Sequence, residues 1–333
     1  MSAVRAVANL SPRRLLSFRR LVMGVADRFG ATAAARWAKA ALRYRRDIDE
    51  AALRAALVSR DLNAVMAVID PTRLRNAVEG AMREPFTGAA ATTGTGAAAL
   101  LGAHGVRFMF RATHPNVVLY ARAHAAELVE GIVEETRKVI AEVIALGAER
   151  GLTTIQQSRA IREVVGLPSR WAQAPQRLAD ELRAGEYAAA ARRLSAVEQQ
   201  QIRSRITAGT VDDAFVDAMT SRYAESLINL RAQTIARTET LDAAHHGLVE
   251  GWKQARDQGV LPVDMRQYWI VTPDDRLCPI CVRIPDMNPD GRAIGDLFMT
   301  PEGPVDYPPA PHPDCRCTVG LALPGDISTE EDA

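Results

Sequence analysis

All four cysteines of the 333-residue chain lie within 40 residues of one another. They form two pairs, Cys278-Pro-Ile-Cys281 and Cys315-Arg-Cys317, and His312 stands three residues before the second pair. A CxxC turn places two thiolates where they can share one ion, and a second pair about 30 residues later can complete a tetrahedron of sulfur and nitrogen ligands. The spacing predicts a metal site, with Zn²⁺ as the cofactor, built from four of these five residues.

The choice of four ligands from five candidates stays open at the level of the sequence. The simplest geometry combines Cys278 and Cys281 with two of the three later residues. One histidine and one cysteine are favoured, because His-x-x-Cys resembles a second knuckle, and an all-cysteine site is the alternative. Free buried thiols in a reducing cytoplasm and disulfides in an oxidatively maturing particle are two further interpretations.

A structural role for the ion follows from the size of the segment that carries it. Residues 259–324 have few large apolar side chains, so burial alone would have difficulty ordering them. A structural zinc contributes about 10 to 16 kcal/mol in peptide-like contexts, which is enough to decide folding. With four protein ligands the ion keeps no open position, so the site is predicted to be closed and non-catalytic.

The elements that must position this site are expected to be helices. Hydrophobic residues make up 47% of the chain and aromatic residues only 5%, a balance that favours helices packed through small and aliphatic side chains. The predicted fold is mainly α, with an elongated multi-helix body followed by a small α/β module that resembles a zinc knuckle. The predicted segments are a basic N-terminal helical region (1–86), a Gly/Ala/Thr-rich linker (87–105), a helical body (106–258), a Cys-rich C-terminal module (259–324) and an acidic tail (325–333).

The linker is predicted from a change of texture after a helix that opens at Pro71 and runs to about Met82. From Thr87 to Gly105 the chain consists mostly of Gly, Ala and Thr, which breaks the helical pattern. The surrounding stretch 85–106 has no Asp, Glu, Lys or Arg, yet it is too weakly apolar for a stable membrane span. We therefore expect a flexible loop and no spanning helix.

Other local signals place helix ends and strands. A long helix is predicted to begin at Pro115 and to end at Gly151, and Thr153 can cap the next one. Beyond residue 259 helical periodicity gives way to prolines, glycines and two short β-type runs, 268–271 and 318–323. These runs predict the strands of the C-terminal module.

The run Arg237-Thr238-Glu239 is predicted to separate two helices. Thr238 can cap the second helix, and Glu239 would lie favourably in its first turn. His245 and His246 follow on that helix about 100° apart, so they cannot easily bind one ion together. We expect these two histidines at the surface or partly buried.

The net charge of +1 conceals an excess of basic residues near the N-terminus. Residues 1–60 hold 13 Arg/Lys against 4 Asp/Glu, a balance of +9, which leaves −8 for the rest of the chain. Such an arm can bind DNA phosphates or an acidic protein surface, because Coulomb attraction and counterion release serve both. A solvated amphipathic helix is the plainer interpretation.

An ordered set of residues in the second half of the chain resembles the C-terminal signature of the phage Mu F-like minor head proteins, the phage head morphogenesis family. The resemblance extends from about residue 105 to 323, and the family's usual Asn before the glycine of one helix stands here as His246. The signature residues, in order, are Ile235-Ala-Arg237-Thr238-Glu239-Thr240, Gly247, Trp252, Trp269, Asp275-Arg-Leu-Cys278-Pro-Ile-Cys281, Pro308-Pro309 and His312-Pro-Asp-Cys315-Arg-Cys317.

This resemblance implies a low-copy structural protein of a tailed-phage head and no enzyme activity. The implied partners are the portal protein, with capsid or scaffolding protein in addition, and DNA through the basic N-terminal region. The implied location is the head interior or portal vertex of the virion, reached from the host cytoplasm during assembly. Arg237, Thr238, Glu239, Trp269 and Asp275 are expected to serve as structural residues of the signature.

Two other functions compete with this one. A zinc-containing nuclease is the first, since CxxC with a later His-x-x-Cys also frames nuclease modules. A nuclease needs a general base beside a substrate-bound divalent ion, and the polar residues near the cysteines form no recognisable set of that kind. The second alternative is an internal virion protein that binds DNA through residues 1–60.

Overall fold

The computed structural model describes residues 12–272, 277–310, 312–313 and 315–323, with backbone only for 12–17 and 121–130. The described chain is mainly helical and ends in a small sheet region with a cysteine cluster, which confirms the predicted fold class. The helices are α1 (Pro12–Arg46), α2 (Glu50–Val58), α3 (Leu62–Ile69), α4 (Pro71–Gly102), α5 (Pro115–Glu149), α6 (Thr154–Val164), α7 (Ala174–Arg183), α8 (Tyr187–Ala191), α9 (Ala196–Ala208), α10 (Asp213–Asp257) and α11 (Ile284–Met287), with single 3₁₀ turns at Ser169–Trp171 and Cys281–Arg283.

In the part of the C-terminal region that the structure describes, five short strands form two small sheets. Strand β1 is the centre of a three-stranded antiparallel sheet of order β2-β1-β5, and β3 pairs with β4. The two β-type runs predicted from the sequence correspond to β1 and β5. The strands are β1 (Arg266–Ile270), β2 (Arg292–Ala293), β3 (Phe298–Thr300), β4 (Gly303–Val305) and β5 (Thr318–Ala322).

The chain divides into two compact units, each built from separated segments. Unit 1 comprises the described parts of Met1–Ala34, Met82–Ala125 and Gln233–Ala333, and unit 2 comprises Ala35–Ala81 and Ala126–Ala232. The units differ from the sequential segments predicted above, because α1, α4, α5 and α10 each contribute residues to both units.

The predicted linker 87–105 is wrong for most of its length, because α4 continues through it to Gly102. The small residues of this segment are helical in α4 because they are buried and allow neighbouring groups to pack closely against the helix. Thr93 is buried and its hydroxyl donates to the Ala89 carbonyl oxygen one turn earlier, so its polar group is satisfied within the helix. A Cβ on Gly94 would lie 2.1 Å from Cζ of Phe110, so the glycine leaves room for that ring. The Gly/Ala/Thr composition therefore makes a close-packing helix face in unit 1.

The signature residues Gly247 and Trp252 lie in the core of unit 1. Both belong to α10, where a Cβ on Gly247 would lie 2.0 Å from the carbonyl oxygen of Ala90 on α4. Trp252 is fully buried, and the ring of Phe18 meets it edge to face at a centroid distance of 5.4 Å. The two helices thus approach backbone to backbone, and the indole fills the space beside them.

The core of unit 2 encloses a paired arginine. Trp37 is fully buried, and the Arg231 guanidinium lies 5.9 Å from the centre of its ring. The same guanidinium donates to the Gly166 carbonyl oxygen at 2.9 Å and pairs with Glu135 at 2.7 Å. A buried charge is tolerated here because it is both paired and hydrogen-bonded.

The predicted end of α5 and start of α6 are confirmed. Helix α5 ends at Glu149, and Gly151 adopts a left-handed φ of 65° just beyond it. Thr153 caps α6 through a reciprocal capping box with Gln156. Among the described residues, no helix is long and apolar enough to cross a membrane.

Candidate metal centre

The first half of the centre is a cysteine knuckle that follows β1. The amide of Cys281 donates to Sγ of Cys278 at 3.2 Å, and the amide of Val282 donates to the Cys278 carbonyl oxygen. A 3₁₀ turn then begins at Cys281. These two hydrogen bonds hold the Cys278 sulfur beside the turn that carries Cys281.

The second half lies beside the end of β1 because of the sheet register. Cys315 and Cys317 immediately precede β5, whose first residue, Thr318, pairs with Ile270 at the end of β1. The hydroxyl of Thr272 donates to the carbonyl oxygen of Arg316 at 2.5 Å, which fixes the loop between the two cysteines. Backbone pairing between β1 and β5 therefore brings residues about 35 positions apart into one place.

Four of the five predicted residues are linked by short distances between ligand atoms. Nε2 of His312 lies 3.0 Å from Sγ of Cys278 and 3.2 Å from Sγ of Cys281, and Sγ of Cys281 lies 3.6 Å from Sγ of Cys315. In a tetrahedral zinc site the sulfurs lie about 3.8 Å apart and a sulfur lies about 3.5 Å from a nitrogen, given the usual bond lengths. The observed separations are close to both values.

Cys281 is common to two groups of candidate ligands. One group is Cys278, Cys281 and His312, and the other is Cys281, Cys315 and Cys317, each with its ligand atoms within 4.8 Å of one another. Cys281, Cys315 and Cys317 are buried, while Cys278 is partly exposed. All five residues predicted from the sequence therefore belong to a cluster that could bind a metal ion.

The histidine is oriented as a metal ligand. Its Nδ1 lies 2.8 Å from the carbonyl oxygen of Pro313. A carbonyl oxygen only accepts hydrogen bonds, so Nδ1 carries the proton and the lone pair of Nε2 faces the sulfurs. A backbone carbonyl that fixes the tautomer in this way is the usual outer partner of a metal-bound imidazole.

The sulfur cluster favours a bound cation. Hydrogen bonds with Cys315 and Cys317, together with burial, raise the pKa of the Cys281 thiol well above its ordinary value. Hydrogen bonds from Cys281 and Cys315 lower the pKa of Cys317 to about 3. Three buried sulfurs this close can all be thiolates only when a cation neutralises them. The four cysteines are free, and the 3.6 Å between two of their sulfurs is far longer than a disulfide bond of about 2.05 Å.

Trp269 and Phe298 form the apolar support of the centre. The two rings meet edge to face at 5.4 Å, and each is almost completely buried. Trp269 lies opposite Val319 in the sheet, two residues after Cys317. Trp269 thus lies in the core of the module, whereas Asp275 falls outside the described residues.

The predicted helix junction at Arg237-Thr238-Glu239 is wrong, because α10 runs unbroken through it. No glycine or proline interrupts the sequence there, so nothing ends the first helix. Thr238 therefore lies inside a helix and caps none. Arg237 pairs with Asp27 of α1 at 3.7 Å, with both side chains largely exposed.

A buried histidine, His245, connects α10 to the C-terminal module. His245 is fully buried, which corrects the expected surface position. Its Nδ1 lies 2.9 Å from the Leu241 carbonyl oxygen, and its Nε2 lies 3.0 Å from the hydroxyl of Thr318, next to Cys317. Burial lowers the pKa of His245 to about 4, so the ring is neutral and both nitrogens serve as hydrogen-bonding groups.

A second polar cluster lies on the same helix. The rings of Tyr120 and His246 stack at 3.8 Å, and Nδ1 of His246 lies 3.2 Å from the hydroxyl of Tyr307. Tyr120 also donates a hydrogen bond to the carboxylate of Asp242. Burial, and then the charge of Asp306, raise the pKa of Asp242 to about 7.

An Asp242→Asn variant should remove a loss of stability at high pH. A carboxyl whose pKa is raised on folding contributes stability below its unfolded value of 3.8, and that contribution disappears as the pH rises through about 7. At about 1.4 kcal/mol per pKa unit, the rise from 3.8 to about 7 corresponds to about 4 kcal/mol, so we expect the variant to gain up to about 4 kcal/mol over wild type at pH 8 and little at pH 4. Thermal unfolding at the two pH values measures this, and equal gains at both would contradict it.

The fold and the cluster together define a class of protein: a mainly helical chain with a small cysteine-rich sheet module whose Cys and His residues can bind a metal ion. Comparison with family models, with curated proteins and with solved structures finds no match to this chain.

Proposed function

We propose that this protein is a minor capsid protein of the Mu F-like head morphogenesis family that acts at the portal vertex of a tailed phage. The observation that carries the proposal is the meeting of the two most specific signature pieces, the CxxC and the His-x-x-Cys-x-Cys, in one cluster. Two further signature residues support it. Gly247 and Trp252 pack the helix that His245 links to strand β5, so these parts of the signature belong to the same unit as the cluster.

We propose further that the ion is a structural zinc held by Cys278, Cys281, His312 and Cys315. Three pairs of ligand atoms in this set lie 3.0 to 3.6 Å apart: Cys278 with His312, Cys281 with His312, and Cys281 with Cys315. Cys317, whose sulfur groups with those of Cys281 and Cys315, would lie next to the ion but outside the ligand set. Zinc supplies no reaction here, because four protein ligands leave no position for a substrate or an activated water.

The proposed role is assembly of the procapsid and support of genome packaging or delivery. The protein would act in the head interior or at the portal vertex, after assembly in the host cytoplasm, with the portal protein as its main partner and capsid or scaffolding protein as further contacts. The basic residues of the segment 1–60 would bind DNA phosphates. A variant in which the exposed basic residues of α1, Arg20, Arg28, Lys39 and Arg43, are replaced by glutamine should then lose most of its salt-sensitive retention on DNA, and unchanged retention would remove DNA from the list of partners.

The decisive experiment is co-purification with a portal ring. Procapsids assembled with tagged portal protein are expected to retain the full chain, and a Cys281→Ser variant is expected to be depleted from them. Absence of the wild-type chain from portal-containing particles would overturn the proposal. Incubation with duplex DNA and Mg²⁺ tests the competing nuclease hypothesis, and cleavage that is lost in a His312→Ala variant would favour that hypothesis instead.

A further inference from the structure

Four arginines surround a cavity of about 210 Å³ in unit 2. Arg45 and Arg46 come from the end of α1, and Arg159 and Arg162 come from α6. At about 30 Å³ per liquid water molecule, the cavity has room for several waters or for one oxyanion. The other residues that line it are Leu42, Glu163, Asp217, Ser221 and Glu225.

Two guanidinium groups have buried N–H donors without a hydrogen-bond partner among the described residues. Arg45 is only 7% exposed, and its Nη2 lies 3.4 Å from the hydroxyl of Ser221, while its Nη1 has no partner. Arg162 uses its Nη1 to bind Glu50 at 2.8 Å, and its Nε has no partner. A buried charged donor left unsatisfied is costly, so two such donors on side chains that line the same cavity indicate a missing acceptor.

The carboxylates around the cavity do not supply that acceptor. Asp217 is already bound by Arg159 and by Arg183, the latter at 3.1 Å. Burial raises the pKa of Glu163 to about 7, although the charge of Arg45 opposes the shift. Glu225 is exposed. These acids are either engaged elsewhere, partly protonated near neutral pH, or solvated.

We propose that this cavity binds a phosphate-type oxyanion, with Nη1 of Arg45 and Nε of Arg162 as its buried donors. Planar guanidinium groups match the tetrahedral arrangement of phosphate oxygens and donate charge-assisted hydrogen bonds to them. Inorganic phosphate and the phosphodiester groups of DNA share this chemistry. The site is independent of the metal centre and of the head-protein proposal, because all its residues belong to unit 2.

The test is calorimetric titration of the full chain with inorganic phosphate. We expect saturable binding of one phosphate per chain, weakened at least tenfold in an Arg45→Met variant, because methionine keeps the apolar stem and removes the donors. Arg43→Met is the matched control. It removes the same charge from the same helix, but the Arg43 side chain is 77% exposed and lies outside the cavity lining.

Arg45→Lys keeps the test decisive if the methionine variant does not fold. Lysine retains the charge but not the planar fork, so phosphate binding should still weaken severalfold while the circular dichroism spectrum stays that of wild type. Glu163→Gln, which removes a carboxylate from the cavity, should tighten binding. A wild-type chain that binds no phosphate, or equal weakening in the Arg43 and Arg45 variants, would overturn the proposal. If a short DNA duplex competes with phosphate for the cavity, the phosphodiester groups of DNA are the ligand. If the duplex does not compete, free phosphate is the ligand.

Discussion

A Cys281→Ser variant is expected to lose its metal and the folded state of the C-terminal module together. Cys281 belongs to both groups of candidate ligands, so no set of four can replace it without losing the short contacts to His312 and Cys315. Structural zinc contributes about 10 to 16 kcal/mol in peptide-like contexts, more than a module of this size can supply by burial. Metal analysis of the wild type should give about one zinc per chain, and the variant should give none, with rapid amide exchange from β1 to β5.

A Cys317→Ser variant is the matched control for the proposed ligand set. Like Cys281→Ser, it replaces a buried thiol of the cluster by serine, but it leaves the four proposed ligands intact. It should keep one zinc per chain, whereas a Cys315→Ser variant should lose it. If the two results are reversed, Cys317 takes the place of Cys315 in the ligand set. A metal-free wild-type chain that is folded from β1 to β5 would refute the zinc site.

A Gly247→Ala variant should destabilise unit 1 by about 3 kcal/mol, the upper part of the usual range for overpacking. The added Cβ would lie 2.0 Å from the Ala90 carbonyl oxygen, and both atoms are attached to helix backbones. No side chain can rotate away to relieve the contact, so α4 and α10 must separate along a buried surface. Chemical denaturation, followed by circular dichroism and by the fluorescence of buried tryptophan, measures the loss.

Gly24→Ala provides the control for that substitution. Gly24 is an exposed glycine within α1, and a Cβ there would meet no atom within 4 Å. Alanine is the better helix former by about 0.5 to 1 kcal/mol, so this variant should be slightly more stable than wild type. A Gly247→Ala variant as stable as Gly24→Ala would show that the two helices do not make the close contact described here.

The sequence was sufficient for features that depend on local chemistry. The Cys278-to-Cys281 knuckle, the cap at Thr153 and the long helix from Pro115 rest on spacing and on hydrogen bonds within a few residues. The cluster of Cys and His residues also followed from the sequence, because the five residues lie within 40 positions of one another and two of them form a CxxC turn. Which of the five residues can lie around one ion depends on the register of β1 with β5, and no local pattern in the sequence specifies that register.

Features that depend on distant partners were predicted wrongly. Glycine and threonine weaken an isolated helix, so 87–105 was expected to be a loop, but in α4 those residues accommodate Phe110 and α10. The Thr238-Glu239 pair has the composition of a helix start, and the same residues are tolerated within a long helix. His245 is buried next to Thr318, and no local pattern in the sequence connects these two residues, which are 73 positions apart.

The order in which the units are completed follows from their segments. During translation the last segment of unit 2, which ends at Ala232, is synthesised before the last segment of unit 1. That later segment carries all the candidate metal ligands. Until α10 emerges and folds, the face of α4 around Ala90 lacks its partner and exposes a stripe of small apolar residues. Partly made chains with such surfaces are prone to aggregate or to bind chaperones. A stalled nascent chain whose residues up to Ala232 have left the ribosome exit tunnel, with the rest of α10 still inside it, should therefore have a folded unit 2 and chaperone-dependent segments of unit 1.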